Sequence, residues 1–403
     1  MTFPLKLASR LDPIKPSITL AVTAKAAKLK ADGIDVVSFG AGEPDFDTPA
    51  HIKEAAMKAL DAGATKYTQV EGTPQLRKAV AAWFGRAHGF TDISPGEVIV
   101  TVGAKQAIYN AFHALLDEGD EVILPAPYWV SYSEIAKLAG AKPVPVVSRA
   151  EDEFVVNPDA IARAITPKTR LILVVSPSNP TGAVYDEKTL RAIADLAVKH
   201  DCWLLTDDIY RSLCYGDAKF VNPATFSPEV RKRTVIVDGV SKSYAMTGWR
   251  VGFTLAPPAV IEAMSTLQGQ STTNTAAVSQ AAALAAIEGP QDEVERMRQE
   301  FDKRRQYMVK GLRAIPGVKC VEPKGAFYAF PDLSSFIGKT TPGGKKIDGD
   351  PALCEYLIEE ARVAVVPGSA FYAPGFVRLS YATSQANIEK GIARLGEALG
   401  KLV

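Results

Sequence analysis

The chain has 403 residues, which is long for one hydrophobic core and favours two domains of ordinary size. Hydrophobic residues make up 47% and charged residues 23%, as in soluble globular proteins. The 46 Lys and Arg nearly balance the 45 Asp and Glu, for a net charge of +1, so the composition argues against a nucleic-acid partner. Any charge on a ligand must therefore be met by individual side chains in its site.

The four cysteines and four histidines are scattered and form no motif with the spacing of a metal site or a disulfide framework. We therefore expect no metal, reduced thiols and a cytoplasmic location. The first residues lack the apolar core of a signal peptide. The most apolar segment, 276–287, is interrupted by Ser279 and Gln280 and is shorter than the roughly 20 residues that span a bilayer. It predicts a buried helix, and we expect no membrane partner.

Residues 1–45 are expected to form a polar N-terminal arm that belongs in part to a small domain. Within them, residues 17–29 have helical spacing and residues 36–39 form a short apolar run. The run Gly-Ala-Gly-Glu-Pro-Asp follows at 40–45, and its glycines allow a ligand to approach the backbone closely. It lacks the third glycine of a dinucleotide fingerprint, and Pro44 would interrupt the helix of that motif, so we reject that interpretation.

Residues 46–300 alternate between apolar runs and segments of helical spacing. Strands are predicted at 98–102, 121–124, 170–175, 202–205, 234–237 and 251–255, and helices at 105–116, 132–138 and 186–200. Several of the runs are continuous in Val, Ile and Leu, as expected for strands covered on both faces. The pattern predicts a large α/β domain with a mostly parallel sheet covered by helices.

After about residue 300 the pattern changes to that of a smaller α+β domain, over 301–403. Helices are predicted at 293–312 and 351–360, and apolar runs occur at 325–330, 363–366 and 376–381. The segment 338–350, rich in Gly and Lys, resembles the end of a phosphate-binding P-loop, but Leu333 stands where the first glycine is required. We expect a solvated loop or a mobile lid there, without assigning it a role.

Lys242 follows the apolar run 234–237 and lies among Ser, Ala and Gly in the stretch 239–252, which contains no carboxylate and has Arg250 eight residues after the lysine. A lysine amine attacks an aldehyde only when it is neutral, and desolvation or a nearby cation lowers its pKa toward that state. An ordinary exposed loop lysine is the alternative interpretation.

The run Ser-Lys-Ser-Tyr-Ala-Met-Thr-Gly-Trp-Arg-Val-Gly at 241–252 resembles the pyridoxal-phosphate attachment signature of class I and II aminotransferases. By this resemblance Lys242 would carry pyridoxal 5'-phosphate as a Schiff base, and Arg250 would hold its phosphate. The resemblance also implies the type I fold of pyridoxal-phosphate enzymes.

The cofactor's ring nitrogen requires a buried carboxylate to stay protonated. Asp207 and Asp208 end an apolar strand, where α/β sheets bind ligands, although either acid could instead cap a helix. The resemblance selects Asp207 for the ring nitrogen and Tyr210 for the ring hydroxyl. It adds Asn179 as a second donor to that hydroxyl, in the run Ser-Asn-Pro-Thr-Gly at 178–182, although such residues also form plain turns.

The cofactor's phosphate calls for backbone N–H groups at the start of a helix. Gly103, Ala104 and Lys105 stand between a predicted strand and a predicted helix, and Arg250 adds a fork of donors that a lysine could not supply. The resemblance adds Tyr67, which would reach the phosphate from a neighbouring subunit. It therefore implies a homodimer with shared active sites.

The cofactor ring also needs an aromatic face, and the substrate needs a partner for its α-carboxylate. Trp129 matches the family's stacking position, although buried core aromatics are common. In 376–381, period-two alternation places Arg378 on the face opposite its apolar neighbours. A solvent-facing arginine is the alternative, but the resemblance selects Arg378 to bind the α-carboxylate in bidentate fashion. It also places Trp129 and Asn179 against the substrate.

These signals occur in the family's order from about 15 to 385, and the chain resembles aminotransferase subgroup I, within it the bacterial aspartate/prephenate aminotransferases. In that group the lysine matching Lys15 contacts prephenate, and the glycine matching Gly42 touches the substrate. The resemblance implies ping-pong transfer of an amino group from aspartate or glutamate to 2-oxoglutarate, oxaloacetate or prephenate.

Three alternatives remain at this point. The substrates could be aromatic or other amino acids, because distal contacts come from scattered residues. The chain could be a pyridoxal-phosphate lyase on the same fold, since fold and cofactor alone do not decide the reaction. A cofactor-sensing transcription regulator would need an N-terminal helix-turn-helix, and fewer than 50 residues precede the first site motif.

Overall fold

The computed structural model describes residues 7–403. In this range the α-helices α1 to α13 span Ile18–Ala31, Ala50–Asp61, Pro74–His88, Ala104–Leu115, Ser131–Leu138, Pro158–Ala164, Glu187–Lys199, Pro228–Arg231, Pro258–Gly269, Ala277–Glu288, Asp292–Arg313, Asp350–Glu359 and Gln385–Gly400. The strands β1 to β12 span Val37–Ser38, Val98–Thr101, Glu121–Ala126, Lys142–Val147, Thr169–Val175, Trp203–Asp207, Thr234–Gly239, Gly252–Leu255, Tyr328–Ala329, Val363–Ala364, Val366–Pro367 and Val377–Ser380.

Seven strands form a central sheet in the order β2-β8-β7-β6-β5-β3-β4. All neighbouring pairs are parallel except those of β8, which runs antiparallel to both β2 and β7. The prediction of an α/β fold with a mostly parallel sheet is therefore confirmed. The carboxyl ends of β5, β6 and β7 lie side by side, and this edge carries the site described below.

Helices cover both faces of the sheet, which explains why its strands are apolar at successive positions. Along β5, Leu171 and Leu173 pack in one buried cluster, with side chains of α4, α5 and α9. Ile172 and Val174 point to the opposite face and pack in another, with side chains of α6 and α7. Because side chains alternate along a strand, a strand buried on both faces needs apolar residues throughout.

The remaining strands form two small sheets, and the two-stranded one connects the N-terminal and C-terminal parts of the chain. β1 pairs in parallel with β10, and β9, β11 and β12 form an antiparallel sheet in the order β11-β12-β9. Phe39 packs in the same buried cluster as Phe301 of α11 and Leu395 of α13. These contacts support grouping 1–45 with 301–403, although the boundaries near 45 and 300 stay a prediction. Residues 1–6 of the predicted arm lie outside the described residues.

Three segments that the sequence singled out, 276–287, 325–330 and 338–350, differ in how much regular structure they form. The apolar segment 276–287 corresponds to the helix α10, as predicted, and six of that helix's residues are buried. No helix among the described residues is long and apolar enough to cross a membrane. The run 325–330 contributes only the two-residue strand β9. The loop 338–350 folds against the end of the chain, where Thr340 exchanges backbone hydrogen bonds with Val403. That this loop acts as a mobile lid stays a prediction.

Candidate active site

A cavity of about 400 Å³ opens at the carboxyl edge of the central sheet, a volume within the range of small-molecule sites. Asn179 follows β5, Asp207 ends β6 and Lys242 follows β7, so three neighbouring strands deliver these side chains to one place. Ten of the thirteen residues predicted for the site line the cavity: Gly42, Ala104, Lys105, Trp129, Asn179, Asp207, Tyr210, Lys242, Arg250 and Arg378.

Lys242 is partly buried, and its Nζ donates a hydrogen bond to the backbone carbonyl of Gly42 at 2.6 Å. Burial lowers the pKa of Lys242 to about 8, and the charges of Arg378 and Arg250 act in the same direction. Glu43 acts in the opposite direction but does not reverse the shift. Near neutral pH the neutral form of this amine is therefore far more populated than that of a solvated lysine, and a nucleophile or a general base must be neutral. The alternative of an ordinary exposed loop lysine is wrong.

Asp207 is buried, and its carboxylate accepts a hydrogen bond from the hydroxyl of Tyr132 at 2.7 Å. Burial raises the pKa of Asp207, while the hydrogen bond from Tyr132 opposes that rise. Asp208 does not line the cavity, because adjacent residues at a strand end point to opposite sides. It accepts a hydrogen bond from Asn222 at 2.7 Å instead. Neither acid caps a helix, and only Asp207 lies in the cavity, so Asp207 is the one of the two that belongs to the site.

The N-terminus of α4 lies at the end of the cavity that is suited to an anionic ligand. The amide groups of Ala104 and Lys105 donate no hydrogen bond to any described residue, as expected for the first turn of a helix. Gly103 precedes them with a φ of +81°, and a Cβ there would lie 2.5 Å from Nη2 of Arg250. Arg250 Nη1 donates to the carbonyl of Thr247 at 3.0 Å. Free amides, a helix dipole and a guanidinium together fit a phosphate group.

Arg378 on β12 is 1% exposed, so the interpretation as a solvent-facing strand arginine is wrong. Its Nη1 donates to Asn179 Oδ1 and its Nη2 donates to the carbonyl of Gly40, both at 2.9 Å. The guanidinium lies 4.5 Å from the ring centre of Tyr328. Burial lowers the pKa of Arg378, its Nε has no hydrogen-bond partner, and it forms no ion pair with a described residue. A buried, unpaired cation of this kind favours a carboxylate ligand.

Two further predicted residues supply aromatic surface. Trp129 lines the cavity, packs edge-on against Tyr132 at 5.4 Å and has the Lys105 ammonium 4.8 Å from its ring centre. Tyr210 is buried, and its hydroxyl lies 2.8 Å from that of Tyr328. Both aromatic rings are therefore held by neighbouring side chains.

Three predicted residues do not line the cavity. Gly103 directly precedes the lining residues Ala104 and Lys105 and leaves space for the Arg250 guanidinium, which a Cβ at that position would meet. Tyr67 is 89% exposed. Lys15 is also exposed, and its backbone N–H donates to Glu134 on α5 at 2.9 Å. Within one chain, the fold therefore does not bring Tyr67 or Lys15 into the cavity.

The sequence interpretation missed several lining residues, of which Tyr132 and Tyr328 make the most informative contacts. Tyr132 lies in the first turn of α5, three residues after Trp129, and its nearness in sequence to that predicted site residue is the only signal that could have indicated it. Tyr328 is brought to the cavity by β9, and no local pattern signals it. Thr19, Leu20 and Thr23 of α1 also line the cavity, so the N-terminal arm forms part of its wall.

Comparisons with known proteins agree with this geometry. A family model described as aminotransferase class I and II matches residues 34–395. An aspartate aminotransferase of Geobacillus stearothermophilus is 48% identical over 97% of this chain and 98% of its own. A probable aspartate/prephenate aminotransferase of Aquifex aeolicus is 46% identical over 98% and 99%.

Solved structures agree as well. The crystal structure of the aspartate aminotransferase from Rhizobium meliloti superimposes with a TM-score of 0.95 at 45% identity, covering 99% of this chain and 100% of its own. The Thermus thermophilus aspartate aminotransferase with maleate gives a TM-score of 0.92 at 45% identity, covering 98% and 100%.

The chain belongs to the class I and II aminotransferases. It has the type I fold of pyridoxal-phosphate enzymes, and it is a pyridoxal-phosphate-dependent aminotransferase. The lyase alternative is not favoured by these relatives.

Proposed function

We propose that this enzyme moves the amino group of aspartate, or of glutamate, to a 2-oxo acid such as 2-oxoglutarate, oxaloacetate or prephenate, by a ping-pong mechanism. The observation that carries the proposal is the convergence of Lys242, Asp207 and the unpaired Arg378 on one cavity. The relatives named aspartate and aspartate/prephenate aminotransferase support aspartate as the donor. The complex of one relative with maleate, a dicarboxylate, supports a substrate with two carboxylates.

The cavity fits pyridoxal phosphate, since it offers free amides and a guanidinium at one end and a buried carboxylate at the other. When bound, the cofactor withdraws electrons from the substrate's Cα and stores the amino group between half-reactions. We assign its phosphate to the α4 N-terminus and Arg250, its ring nitrogen to Asp207 and its ring face to Trp129. Its ring hydroxyl is assigned to two donors, Tyr210 and Asn179.

Lys242 acts as the general base and acid in this proposal. Its neutral Nζ takes the proton from the substrate's Cα and returns a proton later in the same half-reaction. A pKa of about 8 suits this exchange, because base and conjugate acid are both populated near neutral pH. Arg378 binds the α-carboxylate, which fixes the Cα–H bond relative to Lys242, and Asn179 orients the guanidinium by its hydrogen bond. Gly42 lines the cavity without a side chain that would obstruct the substrate.

Four finer assignments belong to the proposal. Lys105 is the cation beside Trp129 and could meet the distal carboxylate. Lys15 is proposed for prephenate on resemblance, and its segment is tethered to α5 through Glu134. A homodimer is proposed in which Tyr67, which is exposed on the single chain, reaches the cofactor phosphate of the neighbouring subunit. Free thiols at all four cysteines support a cytoplasmic location.

A labelled-nitrogen assay tests the proposed substrates. The purified enzyme with added cofactor is given aspartate or glutamate carrying ¹⁵N and each 2-oxo acid in turn, and the labelled products are measured by mass spectrometry. With the wild type we expect transfer from labelled aspartate to 2-oxoglutarate. For oxaloacetate we expect transfer from labelled glutamate, because transfer from aspartate to its own 2-oxo acid would regenerate the same pair. We expect neither transfer with Lys242→Ala. For prephenate, we expect transfer that Lys15→Ala weakens selectively. Transfer from aromatic amino acids but not from aspartate would overturn the donor assignment.

A further inference from the structure

The loop between α2 and α3, residues 62–73, contains the most exposed aromatic side chain among the described residues, that of Tyr67. The loop has neither helix nor strand of its own. A loop of this kind would ordinarily move, and a side chain at its tip would sample many positions. In this structure, buried side chains of α9 and α10 hold the loop residues that follow Tyr67.

Gln280 of α10 is 1% exposed and binds the loop at two points. Its Nε2 donates to Thr68 Oγ1 at 2.9 Å, directly beside Tyr67, and its Oε1 accepts from the backbone N–H of Thr73 at 2.8 Å. The same Nε2 also donates to the carbonyl of Thr275 at 2.7 Å, which fixes the amide itself. One buried side chain thus connects the residue after Tyr67 with the residue that caps α3.

Gln268 of α9 is fully buried and binds the middle of the loop. Its Nε2 donates to the carbonyl of Val70 at 2.7 Å and to that of Val100 on β2 at 2.9 Å. Its Oε1 accepts from Asn110 at 3.1 Å, and Asn110 lies on α4, the helix whose N-terminus faces the cavity. All the polar atoms of this buried amide are paired, which makes the connection rigid.

The loop backbone is fitted closely to these partners. Gly72 has a φ of +104°, and a Cβ there would lie 2.6 Å from Cγ2 of Val100 and 3.4 Å from Oε1 of Gln280. Ser265 of α9 adds a hydrogen bond to Glu71. The loop is therefore held from Thr68 to Thr73, and Tyr67 is the first residue beyond this held segment.

We propose that Gln268 and Gln280 are positioning residues for the active site of the neighbouring subunit. They hold the α2–α3 loop so that Tyr67 projects at one fixed place across the dimer interface. This inference rests on the proposed function, in which Tyr67 reaches the cofactor phosphate of the other subunit. Its distinctive consequence is that each glutamine acts on the partner's site and not on the site of its own chain.

The first test uses Gln280→Met, which keeps the side-chain length and removes both polar atoms. In the apoenzyme, we expect faster hydrogen exchange at the loop amides, Thr73 above all. The dissociation constant for pyridoxal phosphate, measured by quenching of tryptophan fluorescence, is expected to rise about fivefold in the variant homodimer. Gln306→Met, the same change at an exposed position of α11, is the matched control and should leave both measurements unchanged. If Gln280→Met does not fold, Thr68→Val takes its place, because it removes only the hydrogen bond from Gln280 to Thr68 and should change the same two measurements.

The decisive test uses hybrid dimers in which Lys242→Ala silences one of the two sites. When Gln280→Met is on the chain that keeps Lys242, the working site receives a native loop, and its cofactor half-saturation should equal that of the wild type. When Gln280→Met and Lys242→Ala are on the same chain and the other chain is wild type, the working site receives the loosened loop, and half-saturation should require about fivefold more cofactor.

The same pair of hybrids made with Tyr67→Phe separates the two proposals. If the Tyr67→Phe defect follows the partner's site but the Gln280→Met defect stays with its own chain, the glutamine inference is overturned and the shared site stands. If the Tyr67→Phe defect also stays with its own chain, or no dimer forms, the shared site itself is wrong. Unchanged hydrogen exchange in Gln280→Met would likewise overturn the inference.

Discussion

Replacing Arg378 with lysine tests whether a buried, unpaired guanidinium is held ready for a carboxylate. Arginine has five N–H donors, of which Arg378 uses one for Asn179 and one for Gly40, leaving three. Lysine has three donors, and if two kept those contacts only one would remain for the ligand. The variant therefore loses at least one charged hydrogen bond to the α-carboxylate, worth about 1.5–3 kcal/mol. That loss corresponds to a fall of about 10- to 150-fold in kcat/KM.

Steady-state kinetics and thermal unfolding measure this loss independently. Both the amino acid and the 2-oxo acid carry an α-carboxylate, so kcat/KM should fall to a similar extent for each. A dicarboxylate such as maleate at 100 times its dissociation constant should stabilise the wild type by about 2.7 kcal/mol. If binding is weakened thirtyfold, the same concentration should stabilise Arg378→Lys by only about 0.9 kcal/mol.

Arg305→Lys is the matched control for Arg378→Lys. Arg305 is also buried, but it is already paired with Asp302 and Glu322, so it has no need of a ligand. We expect this control to keep wild-type kcat/KM and wild-type stabilisation by maleate. Retention of both quantities within about threefold by Arg378→Lys itself would refute the reasoning.

Three further changes probe the cofactor end of the cavity. The rate at which apoenzyme recombines with pyridoxal phosphate should rise with pH through about 8 and then level off, because only the neutral amine of Lys242 attacks and burial lowers its pKa to about 8. Tyr132→Phe removes the donor to Asp207 and should weaken cofactor binding about fivefold, measured by equilibrium titration. Gly103→Ala places a Cβ 2.5 Å from Arg250 Nη2 and should raise the cofactor dissociation constant at least about tenfold.

These three predictions have their own controls. A rate that keeps rising to about pH 10 would mean that Lys242 has the pKa of a solvated lysine. Tyr356→Phe also loses a hydrogen bond, to the carbonyl of Ala398, but outside the cavity, so equal losses in it and in Tyr132→Phe would indicate a general effect on folding. Gly400→Ala has no atom within 4 Å of its added Cβ and should bind the cofactor normally.

The central sheet could be predicted because burial on both faces requires apolar residues at successive positions, as at 171–175. The direction of β8 could not, since its run resembles those of the parallel strands and only its pairing makes it antiparallel. Lys242 and Asp207 could be predicted because Lys242 follows such an apolar run and Asp207 ends one. The choice between Asp207 and Asp208 depended on resemblance, because alternation assigns them opposite sides without saying which side holds the cavity.

Residues whose position depends on tertiary structure could not be predicted from the sequence. Tyr328 reaches the cavity only because β9 pairs with β12, the strand of Arg378. The burial of Arg378 was left open because strand alternation alone does not tell whether its face is covered. Tyr67 and Lys15 are exposed in the single chain, so the roles assigned to them depend on a second subunit or on a substrate.

The most direct test of the central claim is the absorbance of the purified enzyme with pyridoxal phosphate, recorded beside that of Lys242→Ala. We expect the wild type to show a visible band that disappears when aspartate is added and returns when 2-oxoglutarate, oxaloacetate or prephenate follows. Lys242→Ala should show neither the band nor the cycle. If Lys242→Ala completes the same cycle at the wild-type rate, or if the wild type shows no band with saturating cofactor, Lys242 is not the residue on which this site depends.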